Sequence, residues 1–358
     1  MRRLFFIPVI LIGTFLSSLY SQSQDFSGQK TIFDLFQSEA PLSVSIQADF
    51  HTIISNKNKA DEYAEGELKI NRPNQSNASI PVKIKPRGKF RRKVCDFPPL
   101  KLKFKKSDLD QMGLDTFNNL KLVTHCQTGN GDDETLLREY LAYKMYSRLT
   151  DASFKVQLLQ VTYYDKSGQR TPETRLALLI EDDEQLAQRL GGAVCDCFNT
   201  PVENFDSYQK GLVTLFNYMI GNPDFDVTMQ RNMKIVRPLQ SGSYQVVPYD
   251  FDFSGFVHPD YIKGYSSAWL KEAREKVNLD SPVSAPDAER LKQLFFQHRE
   301  DFTQLLAEDS MISKKTKKRL QQYLDSFYDE LGQSAILPAG TLQNPGTDAD
   351  AARIIDAR

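Results

Sequence analysis

Histidine is scarce in this chain. His51, His125, His258 and His298 are scattered, with no E-x-x-H or other paired spacing, so all four read as structural and no His-based metal centre is indicated. No G-x-S-x-G elbow and no Cys–His nucleophile arrangement occurs, which leaves no serine- or cysteine-hydrolase signature. A G-x-G-x-x-G loop is missing too, so any phosphate bound here must be covered by something else. Neither sign of charge is in excess: 45 Lys and Arg stand against 46 Asp and Glu, a formal net charge of −1. That balance argues against a generic nucleic-acid binder. Beyond the first two dozen residues, no stretch is apolar enough to cross a membrane.

What is present is enough to build a core: 358 residues, 40% hydrophobic and 11% aromatic. The chain opens with "MRR", then "LFFIPVILIGTFL", then "SSLYSQSQ". A cationic start, a short apolar run and a small-residue end predict a cleaved secretory signal over 1–23, with the cut after Ser21 or Ser23. No Cys follows the apolar run, so a lipid anchor there is not expected. The mature protein is expected to be exported and soluble, in a periplasm or at the cell surface. Cys95, Cys126, Cys195 and Cys197 would then meet an oxidising environment. Cys195-Asp-Cys197 is too tight for a structural zinc pair, and no second ligand pair accompanies it. Cys95 and Cys126 both flank strand-like segments and are the preferred disulfide, although four cysteines allow three connectivities.

Short alternating segments at 41–52, 65–71, 79–86, 99–105 and 119–124 read as an antiparallel sheet, joined by strands at 155–164 and 174–181. "DDETLLREYLAYKMYSRLT" (132–150) is the clearest helix. From about 205 helices dominate, at 206–220, 266–276, 286–307 and 314–331, interrupted by a strand pair at 232–237 and 244–249. The expected domains are a β-rich lobe over 24–181, a mostly helical lobe over 182–334 and a flexible tail over 335–358. That α+β order matches a two-lobed, kinase-like body.

The most informative stretches are "GNPDFDVTMQRNMKIV" (221–236) and "YQVVPYDFDFSG" (244–255). Each aspartate alone could be a turn residue. Together they place four carboxylates and an amide carbonyl at two strand ends, hard oxygen donors that suit Mg²⁺ or Ca²⁺. Cations concentrate in "KIKPRGKFRRK" (83–93) and "KLKFKK" (101–106), either a solvated face or an anion site. Phosphoryl transfer needs this combination. One Asp orients the acceptor, Asn and Asp hold the metal, and a sheet lysine steadied by a helix Glu binds the phosphates.

The sequence here resembles the spore-coat H-type (CotH) kinases, atypical secreted relatives of protein kinases. "KPRGKF", "PPLKLKF", "LREYLAYKMYSRLTDASFKVQLLQVTYYD", "GNPDFDVTMQRNMKIV" and "VVPYDFDFSG" carry the resemblance, over roughly residues 80 to 260. It implies a kinase-like fold, ATP, Mg²⁺ or Mn²⁺, and phosphorylation of protein hydroxyls. It places Asp224 as the catalytic aspartate, Asn232 as a metal ligand and Asp250 as the metal aspartate. Asp252, which begins a stretched D-F-G, is the rival to Asp250, and the two are expected to share one face of an extended strand. Asn232 follows Asp224 by eight positions rather than the five of H-R-D-x-x-x-x-N, so a longer loop or an extra turn is required. Arg87 is the first choice for a phosphate contact, because Gly88 beside it lets backbone approach closely. Lys101 or Lys103 reads equally as the phosphate lysine or as a solvated edge, Glu139 is its candidate partner, and Glu181 stands where adenine would pass. Two other readings remain: a pseudokinase-like binding module of the cell envelope, and a calcium-stabilised structural protein.

Overall fold

The strand-like segments do form strands, and they close on themselves. In a computed structural model, which describes residues 28–59, 62–72, 79–127, 132–259, 273–275, 277 and 283–333, seven strands make a barrel. They are β1 (Leu42–Ala48), β2 (Ala64–Ile70), β3 (Ser79–Pro86), β4 (Leu100–Lys103), β5 (Asn119–Val123), β6 (Val156–Asp165) and β7 (Glu173–Ile180). The order is β1-β2-β3-β4-β5-β7-β6. The seam that closes it is parallel, running from Leu42 opposite Leu159 to Ala48 opposite Asp165. An antiparallel sheet was the expectation; the β1–β6 pair is parallel instead, and closure removes both edges. β1 is also shorter than the alternation suggested. Asp49 ends it and caps helix α1 (Phe50–Ser55), accepting from the Thr52 N–H.

Period-two alternation sorts the strand residues. Val44, Ile46, Ile84, Leu102, Leu120 and Leu122 fill the barrel and are fully buried. Their alternates, Lys85, Lys101 and Lys121 among them, therefore point outward. On β5, β6 and β7 the outer face is itself buried, through Val123, Leu158, Leu178 and Ile180. Helix α4 (Asp132–Leu149) covers that face, burying Leu137, Leu141, Met145 and Tyr146. Each such leucine contributes roughly 1.5–3 kcal/mol.

The same core continues into α6 (Ser207–Ile220) and the helices α7 (Ala285–Gln297), α8 (Arg299–Glu308) and α9 (Lys314–Gln333). Before α6 come the one-turn α2 (Arg91–Val94), α3 (Lys106–Gln111) and α5 (Asp183–Arg189). The expected single helix over 286–307 is broken at His298, which caps α7 and starts α8. Its ring bonds Asp301 at 2.9 Å, and no proline or glycine marks the break. The expected strand pair gains a third member: β8 (Gly192–Cys195), β9 (Met233–Pro238) and β10 (Gln245–Pro248) form a sheet ordered β10-β9-β8. β8 lies in a stretch where no strand was expected. Cys95 is bonded to Cys126, as preferred from sequence, and Cys195 to Cys197. The signal segment, the tail and most of the helix expected at 266–276 lie outside the described residues. Among the described residues, no helix is long and apolar enough to cross a membrane.

Candidate functional site

Helix α6 delivers the acidic loop. Asp206 caps its start, and Gly221, at φ 61°, ends it in the left-handed conformation. Side-chain amides then fix the exit. Asn222 donates to Asn217 Oδ1 at 2.8 Å, and its own Oδ1 accepts the Asp224 N–H at 3.1 Å. Asp224 Oδ2 accepts from Asn232 Nδ2 at 2.9 Å, and the same amide reaches the Asp224 carbonyl at 2.8 Å. Arg231 Nε lies 3.3 Å from Asp224 Oδ1. The eight-position spacing has a physical cause. The Asp226 N–H donates to the Arg231 carbonyl and the Arg231 N–H to the Asp226 carbonyl, at 3.0 and 2.9 Å. Asp226 Oδ1 also accepts the Met229 N–H. The residues between are looped out, and Asn232 returns to Asp224.

The second stretch lies against the first. The Tyr249 N–H donates to the Asn232 carbonyl at 3.0 Å. Asn232 and Asp250 both sit at positive φ, 52° and 63°. The expected extended run through Asp250 and Asp252 is therefore absent: the chain turns left-handed at Asp250, and the two carboxylates do not share a strand face. The Asp250 N–H donates to the Tyr143 hydroxyl at 2.8 Å. Among the described residues, no hydrogen bond or ion pair holds its half-buried carboxylate. Asp252 is buried and meets Arg91 Nε at 3.0 Å. Arg91 also reaches Glu139 Oε2 at 3.3 Å. Burial pushes the Glu139 carboxyl up, Arg91 opposes it, and the Asp250 charge adds to the rise. Burial, with the charges of Glu139 and Asp250, also lifts the Tyr143 hydroxyl well above its ordinary value.

A cationic wall stands beside these acids. Lys85, Lys101 and Lys121 are directly opposite one another across β3, β4 and β5. Like charges so placed are destabilising unless something anionic lies between them. Lys121 is the most enclosed. Burial drives its amine down to about 8, with Asp183 opposing and Arg87 assisting. It pairs with Asp183, lies 4.7 Å from the Phe154 ring centre, and shares Asp183 with Lys234 at 3.1 Å. Burial also lowers the Lys101 amine, and Lys85 adds to that. Arg87 leads into Gly88, whose φ of 80° is the reason for glycine. A Cβ there would meet no protein atom nearer than Arg91 Cβ at 4.0 Å, so the glycine leaves open space beside Arg87.

Two expected residues stand apart from this group. Lys103 is exposed, 5.7 Å from the Tyr63 ring centre. Glu181 is buried and held by Arg189 Nη2 at 2.6 Å and the Lys155 N–H at 2.7 Å. Arg91, Lys121, Asp183 and Tyr143 were not singled out from sequence. Arg91 is one of several cations in a row, and only the turn of α2 buries it. Lys121 carried a usable signal, a lone lysine in "NLKLV" just before the strongest helix.

Among the described residues, no three or more His, Cys, Asp and Glu side chains gather to hold a cation. Asn232 Oδ1 and the Asp250 carboxylate are hard donors, but two are too few alone. Donors of that kind are the ones Mg²⁺ takes, and such an ion bound here would need most of its shell from water and phosphate oxygens.

No protein-family model matches the chain, and no curated protein matches it. Among solved structures, it is similar to the crystal structure of a Helicobacter pylori proinflammatory kinase, CtkA. The TM-score is 0.38 and the identity 12%, over 59% of this chain and 86% of that one. At that score the likeness leaves the chemistry to be argued from the residues.

Proposed function

We propose that the chain is an exported, CotH-like phosphotransferase that moves the γ-phosphoryl group of ATP to a protein Ser or Thr hydroxyl. One observation carries the reading. Asp224 and Asn232 are bonded side chain to side chain, and Asp250, held left-handed by Tyr143, brings to the backbone beside them a carboxylate that no other described residue engages. Outlying backbone at several polar residues together is characteristic of functional sites. In this reading, residues 24–181 and 182–334 are the two lobes. The Cys95–Cys126 bond accords with an oxidising compartment.

The acceptor oxygen forms a bond to the γ-phosphorus as the bond to the β–γ bridging oxygen breaks, and ADP leaves. Asp224 orients the hydroxyl and takes its proton. Asn232 and Asp250 would hold a Mg²⁺ or Mn²⁺ ion, which would neutralise phosphate charge. Asp252 is the second choice because Arg91 already engages it. Lys121, Lys101 and Arg87 face the phosphates, with Lys121 preferred for its enclosure. Glu139 pairs with Arg91 rather than with a sheet lysine, a departure from the protein-kinase pattern.

The test is transfer of labelled phosphate from ATP to a generic protein acceptor or to the chain itself, with Mg²⁺ and Mn²⁺. Asp224→Asn should abolish transfer and retain nucleotide binding, whereas Asp250→Ala should lose metal-dependent nucleotide binding as well. Transfer at the wild-type rate by Asp224→Asn would refute the assignment. A second reading, a binding module without turnover, is favoured by the engagement of both Asp224 oxygens by Arg231 and Asn232. ATP binding with no transfer under any metal would select it.

A further inference from the structure

The Cys95–Cys126 disulfide lies at the candidate site rather than away from it. Both sulfurs are buried, and the side chain packed against them is Phe253. Phe253 follows Asp252 directly, and its ring meets Phe90 edge-on at 5.3 Å. Arg91 occupies α2, a single turn that ends at Cys95, whose N–H bonds the Arg91 carbonyl at 2.9 Å. One turn of helix has almost no stability of its own. It is held by the bond to Cys126, just past β5, and by the Phe97 N–H on the Cys126 carbonyl at 3.2 Å. The same corner thus grips consecutive residues of "DFDFSG": Arg91 takes the Asp252 carboxylate, and the disulfide and Phe90 take the Phe253 ring. Through Glu139 the grip extends to α4.

We propose that forming the Cys95–Cys126 disulfide assembles the site, by fixing Arg91 against Glu139 and Asp252 and by seating Phe253, so that the reduced chain is an unassembled form. The regulatory meaning rests on the phosphotransferase reading; the structural coupling does not. Bond formation takes two protons and two electrons from the two thiols. A disulfide oxidant such as oxidised glutathione accepts them and becomes two thiols. Arg91 is a positioning residue here, acting through Glu139 and Asp252. Because the sulfurs are buried, oxidation belongs to folding in an oxidising compartment, and the protein stays unassembled where thiols are kept reduced.

Hydrogen exchange read by mass spectrometry on the full chain tests this. In Cys95→Ala/Cys126→Ala, amides of 250–256 should exchange at least tenfold faster than in the wild type, while β1 and α9 keep their protection. Cys195→Ser/Cys197→Ser should leave 250–256 unchanged. A folded Cys95→Ala/Cys126→Ala protein with wild-type exchange at 250–256 overturns the proposal. A second arm does not need that variant to fold. With the disulfide intact, Phe253→Ala and Arg91→Met should each be reduced by dithiothreitol at least tenfold faster than the wild type, and wild-type rates in both overturn it. Neither arm requires turnover, so absent phosphate transfer would count against the Asp224 assignment alone.

Discussion

Acid should weaken this fold through one imidazole. His125 lies beside Cys126, almost fully buried, with its ring centre 4.7 Å from that of Phe97 and 6.0 Å from that of Tyr163. Among the described residues, neither ring nitrogen has a hydrogen-bond partner. Burial, then the charges of Arg175 and Arg170, drives its pKa from an ordinary 6.5 down to about 3. Glu173 Oε2 is 3.6 Å from Nε2, which would favour the protonated ring, but that carboxylate is shared with Arg175 and burial prevails. A histidine with a depressed folded pKa contributes stability that is fully present above its unfolded value. That stability is lost as pH falls toward the folded value. Each pH unit in that window is worth about 1.4 kcal/mol, so going from pH 6.5 to 5 costs (6.5 − 5) × 1.36, about 2 kcal/mol. The comparison is His125→Phe, followed by urea unfolding from pH 8 to 5. Any packing penalty of the larger ring is common to every pH. The variant should therefore gain about 2 kcal/mol on the wild type between pH 6.5 and 5. Parallel curves, or a wild type that gains on the variant in acid, would mean Glu173 stabilises the imidazolium and the reasoning is wrong.

Arg91→Met removes the guanidinium from two buried carboxylates and should cost about 3–5 kcal/mol in urea unfolding. Adding Glu139→Gln should recover part of that loss, and no recovery would place the cost elsewhere in α2. Lys121→Ala should weaken ATP binding at least tenfold by titration calorimetry and Lys103→Ala by less than twofold. Equal losses would return both lysines to a solvated edge.

Much of the barrel was legible because strands such as β1 and β3 alternate buried and exposed positions, and alternation survives whatever pairs with what. Closure was not legible, since the parallel seam joins segments over a hundred positions apart and leaves no mark in either. β8 was missed for a related reason: "GAVC" is too short to show a period, and β9 defines it. The loop from 221 to 232 was read from its eight-position spacing as needing a longer loop or an extra turn, and the structure has the residues between Asp226 and Arg231 looped out by their paired backbone bonds. Asp250 and Asp252 were placed on one strand face because "YDFDF" alternates like a strand. The Tyr143 hydroxyl, from a distant helix, instead holds Asp250 left-handed. Arg91 and Lys121 were hidden because burial of a cation depends on which turn or strand faces a partner, and neighbouring lysines and arginines look alike.

The parallel seam also governs the order of folding. Leu42 lies opposite Leu159, a separation of 159 − 42 = 117 positions, so the barrel has high contact order and is expected to fold slowly. During synthesis from the N-terminus, β1 finds β2 early and then waits with its other edge bare until β6 has emerged. That edge is a row of unpaired backbone donors and acceptors, open to any strand from another chain. The interval between β1 and β6 is therefore when the nascent protein is most open to strand addition, and any fragment cut before residue 156 carries the bare edge permanently.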